Sequence, residues 1–63
     1  MATREEWIEV AGGTGKAIEY EHGVLNVGRD FLPPVALAVL DGADGSSEYW
    51  DWLIGEWRKE SAS

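Results

Sequence analysis

Gly12-Gly13-Thr14-Gly15-Lys16-Ala17-Ile18-Glu19-Tyr20-Glu21-His22-Gly23-Val24-Leu25-Asn26-Val27-Gly28 is the stretch whose reading decides the fold. Glycines bracket it and interrupt it near the middle, where they turn a strand easily and weaken a helix. Ile18 and Tyr20 alternate with Ala17, Glu19 and Glu21, and Leu25 and Val27 alternate with Val24 and Asn26. A period of two is the mark of half-buried strands, and His22-Gly23 supplies a two-residue turn with positive φ. Residues 16–29 are therefore predicted to form a β-hairpin.

On the N-terminal side two patterns compete. Thr3-Arg4-Glu5-Glu6 has the form of a capping box, with Gly12 as a helix stop. Glu6-Trp7-Ile8-Glu9-Val10, however, places Ile8 and Val10 on one strand face, and the glycines lead directly into the hairpin. The strand is preferred, which gives an antiparallel β-meander of two or three strands over residues 6–29.

On the C-terminal side the signals agree with one another. Pro33-Pro34 followed by Val35-Ala36-Leu37-Ala38-Val39-Leu40 predicts a short helix over 34–40, opened by proline and stopped by Asp41-Gly42. Its all-round apolar character implies burial on more than one side. From Ser47 to Lys59, Trp50, Leu53, Ile54 and Trp57 recur at i, i+3, i+4 and i+7, an amphipathic stripe. Ser46 or Ser47 can cap this helix, with Glu48 in the first turn and Arg58 and Lys59 in the last. Ser61-Ala62-Ser63 reads as a frayed tail. The expected fold class is α+β, a single small domain over 1–63. Its expected core is Ile8, Val10, Ile18, Tyr20, Leu25, Val27, Val35, Val39, Leu40, Trp50, Leu53, Ile54 and Trp57.

Composition narrows the functional classes. The 63 residues contain no cysteine, one histidine and four tryptophans. Disulfides and thiolate metal sites are excluded, and the marginal core of so short a chain must rest on aromatic packing or on a second copy. Net charge is −7. Direct nucleic-acid binding, which needs a basic footprint, is disfavoured; a basic protein partner is favoured. The same charge also serves solubility alone. No apolar run of membrane length and no leader-like N-terminus is visible, so a cytoplasmic location is expected.

Apparent motifs dissolve on inspection. A phosphate loop would need glycine five residues before the Gly15-Lys16 pair and Ser or Thr after it; Val10 and Ala17 stand there. Aligning Gly45 with the invariant glycine of a calcium loop puts Leu40 and Gly42 at ligand positions, which cannot serve. No metal, cofactor or catalytic set is assigned, and a chain this small leaves little room for a ligand cavity of several hundred Å3. The expectation is a binding protein, not an enzyme.

One residue stands outside the pattern. Trp52 lies ~160° from the centre of the C-terminal stripe, with Tyr49 on the flank and Glu56 and Lys59 beside it. The plain explanation is a helix covered on both sides; the functional one is an aromatic anchor ringed by charge, the composition of an interface hot spot. The expected partner-binding residues are accordingly Trp52, Tyr49, Glu56, Glu19, Glu21, Asp41, Asp44, Glu48 and Asp51. Compact, acidic, cysteine-free domains are frequent among phage-encoded anti-host-defence proteins such as anti-CRISPRs. The functional expectation is therefore an inhibitor of that kind, blocking a basic nucleic-acid-handling partner. The alternative is a structural homo-oligomer, such as a homodimer, with no inhibitory role.

Overall fold

The computed structural model describes residues 1–62, which form four helices, α1 (Arg4–Ala11), α2 (Thr14–Leu25), α3 (Pro34–Leu40) and α4 (Ser47–Ala62). A single 3₁₀ turn, Arg29–Phe31, lies between α2 and α3. No strand occurs among the described residues, so the fold is all-helical and the expected α+β meander is overturned. The two C-terminal helices stand where the sequence placed them; α4 extends through Ser61 and Ala62, and Ser63 lies outside the described residues.

The first segment follows its capping signals. The Thr3 hydroxyl accepts from the Glu6 backbone N–H at 3.1 Å, satisfying a donor that the first turn leaves open. At the other end Gly12 takes φ 95°, and the Gly13 N–H donates to the Ile8 carbonyl at 3.0 Å, the six-to-one bond of a glycine-terminated helix. These glycines join α1 to α2 and turn no strand.

The hairpin prediction failed because the helical stripe of α2 contains an acid. Ala17, Tyr20, Glu21 and Val24 occur at i, i+3, i+4 and i+7, and all four are buried or half-buried. Glu21 breaks the apolar pattern, and Gly23 in the last part of the helix imitates a turn. The interior supplies the missing reason for the acid. Glu21 Oε1 accepts from Trp7 Nε1 at 3.0 Å, and Oε2 accepts from the Tyr49 hydroxyl at 2.8 Å. One carboxylate thus ties α1 and α4 to α2, and hydrogen bonds to a charged acceptor are the stronger kind.

Aromatic rings complete the junction. Trp7 meets Tyr20 at 5.7 Å and Trp57 at 6.3 Å, and Tyr20 meets Trp57 edge-on at 5.3 Å and 88°. Such tilted and T-shaped pairs add to the stabilisation from area burial. Trp7, Tyr49 and Leu53 are the largest fully buried side chains. Of the expected core, Leu53 and Ile54 are buried, whereas Ile18, Val27 and Leu40 are exposed. Trp7 and Tyr49, assigned elsewhere by the strand reading and the stripe, replace them at the centre.

Alanines let the helices approach: Ala11, Ala17 and Ala36 are buried on α1, α2 and α3. α1 packs on both α2 and α4, and α3 packs on α4. Before α4, Gly45 lies against the rings; a Cβ there would come within 2.5 Å of Trp50 and 2.9 Å of Tyr49. The Ser46 hydroxyl accepts from the Tyr49 N–H at 3.3 Å and caps α4. Among the described residues no helix is long and apolar enough to cross a membrane.

Candidate protein-binding groove

A surface groove lies between α2 and α4 and is bordered by the 3₁₀ turn. It is a groove of ≈ 800 Å3, lined on the α2 side by Lys16, Glu19, Tyr20, Gly23 and Val24 and on the α4 side by Trp52, Glu56, Trp57 and Glu60. Val27, Phe31 and Leu32 complete the lining. The volume exceeds what the chain length suggested because this is a surface groove: Phe31 is 79% exposed and Val27 55%.

Local chemistry explains how these apolar side chains come to be presented. Asn26 ends α2, Gly28 adopts φ 115°, and the chain then makes one 3₁₀ turn. The Phe31 N–H donates to the Gly28 carbonyl at 3.1 Å, which fixes the turn without using the ring. Arg29 pairs with Asp41 at 3.1 Å, tethering the turn to the end of α3. Leu32 turns inward and is buried. Phe31 is left outside.

Charge surrounds the apolar strip. Glu19 is exposed on one wall; Glu56, half-buried, stands on the other and pairs with Lys59 at 3.3 Å. The Tyr20 hydroxyl is pushed up to about 12, first by burial and then by the neighbouring Glu60 and Glu56, so it stays a neutral donor. Lys16 is the one cation in the lining.

The expected site residues divide. Trp52, Glu56 and Glu19 do come together at the groove, where Trp52 is half-buried with its ring 6.1 Å from Tyr49. Tyr49 and Glu21 belong to the interior, where each holds the other. Burial and the bond to Glu21 push the Tyr49 hydroxyl well above the ordinary tyrosine value. Asp41 is engaged with Arg29, and Asp51 accepts from the Ala2 backbone N–H at 3.1 Å. Glu48 and Asp44 are exposed away from the groove, Asp44 beside Arg4 and Glu5 in a shallow hollow at the N-terminal end.

Phe31, Val27 and Gly23 escaped the sequence reading. The one local signal for Phe31 is a lone aromatic in a connector between Gly28 and Pro33, and its exposure shows only once the turn is formed. Among the described residues no group of three or more His, Asp or Glu is arranged to hold a metal ion. No protein-family model, curated protein or solved structure matches this chain.

Proposed function

We propose that this chain is a small acidic protein-binding module, which covers a basic surface of a partner protein as an inhibitor or adaptor and catalyses nothing itself. The groove carries the reading: an apolar strip of exposed Phe31 and Val27 and half-buried Trp52, rimmed by Glu19, Glu56 and Glu60. Interfaces concentrate their energy in apolar anchors encircled by polar groups. A chain of net charge −7 also attracts cationic partners at long range, speeding encounter and disfavouring acidic competitors.

A nucleic-acid-handling protein has the complementary chemistry, since it keeps Lys and Arg free for phosphates that an acidic chain would displace. Neither the helical fold nor the groove singles out the phage anti-host-defence class, and the proposal is confined to the partner's chemistry.

The test is affinity capture with native chain, with Phe31→Ala and with Glu19→Gln/Glu56→Gln, at low and high salt. A basic protein should be held by the native chain at low salt, weakened by either variant, and prevented from binding a labelled oligonucleotide. Capture indifferent to salt and to both variants would remove the reading. Recovery of this chain alone would favour the homo-oligomer instead.

A further inference from the structure

We infer that the groove between α2 and α4 is the docking site for an amphipathic, basic helix of a partner protein, with Gly23 leaving room for that helix to approach. The inference rests on the protein-binding reading above and names the element recognised: one large apolar side chain enters over Gly23, and flanking Lys or Arg meet Glu19 and Glu56.

Gly23 is the observation that points there. It lies within α2, where glycine is destabilising relative to alanine because it surrenders more backbone freedom on folding. Its backbone is not in the left-handed region, and a Cβ built on it would meet no heavy atom within 4 Å. Neither conformation nor internal packing calls for glycine. What a Cβ would enter is the groove, which Gly23 itself lines. Gly15 and Gly55 are also helical with open space above them, but neither lines this groove; Gly55 borders a separate hollow between α1 and α4.

The shape and charge of the groove select the occupant. No exposed strand edge exists among the described residues, so an extended peptide could not add to a sheet, and a helix laid between α2 and α4 is the mode that the glycine in one wall suits. Small residues where helices cross let the backbones come close, which a glycine in one wall provides. The lining carries Glu19, exposed, and Glu56, paired with Lys59 at its edge, against the single cation Lys16. A second copy would bring −7 against −7, whereas a basic helix is complementary.

The experiment uses fluorescence anisotropy with three labelled synthetic helices. The first carries leucine at i, i+3, i+4 and i+7 with lysine and arginine elsewhere, the second replaces the basic residues by glutamate, and the third replaces the leucines by serine. Only the first should bind, more tightly at low salt. Gly23→Gln and Phe31→Ala should each weaken it by about tenfold or more, with helical circular dichroism retained. Gly55→Ala should leave binding unchanged, while Gly23→Ala and Gly55→Ala both raise the melting temperature. If the first helix binds and Gly23→Gln and Phe31→Ala do not alter it, the inference fails while the protein-binding reading stands. Equal binding of the serine or glutamate helix also overturns it. If no basic helix binds even at low salt, the inference fails, and the protein-binding reading is then decided by the affinity capture above. A dimer in sedimentation that Gly23→Gln dissociates would assign the groove to a second copy and overturn the inference.

Discussion

The interior junction and the groove are made of the same materials and finished differently. In the junction, Glu21 satisfies both the Trp7 indole N–H and the Tyr49 hydroxyl, and rings from α1, α2 and α4 close around one another. No buried side-chain polar atom among the described residues is left without a partner. In the groove, aromatic and acidic side chains again lie together, yet Phe31 faces solvent and Glu19 is exposed. Tyr20 and Trp57 belong to both regions, one face of this aromatic wall turned to Trp7 and the other to the groove. The contrast shows that residue type does not set the groove apart from the interior. What sets it apart is apolar and charged surface that folding leaves exposed.

The sharpest way to break this comparison is to empty the junction. Trp7→Ala removes a fully buried indole in contact with two other rings and leaves one oxygen of Glu21 without its donor. A loss of about 3–5 kcal/mol is expected, a large share of what so small a domain possesses. Chemical denaturation followed by circular dichroism should find it largely unfolded. Glu21→Ala comes next, at about 2–4 kcal/mol, because it strands an indole N–H and a buried phenol together. Glu21→Gln should recover part of the loss, since its carbonyl oxygen still accepts a hydrogen bond. If Glu21→Ala melts with the native chain, water has access to the junction and the two regions are less distinct than drawn.

Glu21 also shows what was legible in the sequence and what was not. The helices α3 and α4 could be read because local signals agreed: proline at the start of one, a serine cap and an i, i+3, i+4, i+7 stripe in the other. In α2 the decisive residue is a carboxylate whose place in the interior makes sense only once Trp7 and Tyr49 have been brought to it from 14 and 28 residues away. No local rule anticipates a partner that distant. The capping box at Thr3 pointed to the right element, and the short alternation around Ile8 and Val10 outweighed it. At the candidate site, Trp52, Glu56 and Glu19 were legible from the off-stripe tryptophan and the charge. Phe31 and Gly23 needed the fold, because one is exposed by the turn after Gly28 and the other is notable only once its segment is seen to be helical.

Raising the pH probes the junction more gently. Burial, reinforced by neighbouring Glu60 and Glu56, raises Tyr20 from 10.0 to about 12, and burial together with the Glu21 bond raises Tyr49 further. Below pH 10 both forms of the chain keep these protons, and the stabilisation is complete. Above it the unfolded chain ionises first, so stability falls as pH rises through about 12. Tyrosinate absorbance should therefore appear together with the loss of helical circular dichroism. Ionisation near the ordinary value with the helices intact would mean that both hydroxyls are solvated.

The smallest expected effect belongs to the groove. Phe31→Ser deletes an aromatic ring, yet the ring is 79% exposed, so little of its apolar surface has left water on folding. The turn that carries it is held by the backbone bonds Phe31 N–H to Gly28 and Leu32 N–H to Arg29, and by the Arg29–Asp41 pair, none of which uses the side chain. The melting temperature should shift by no more than about 0.5 kcal/mol of stability implies, an order of magnitude less than for Trp7→Ala. A loss near that of Trp7→Ala would mean that Phe31 closes the fold over the Tyr20–Trp57 wall, and that the groove is a second face of the core. A silent change would instead leave an exposed aromatic side chain that folding does not require, as the docking proposed for the groove expects.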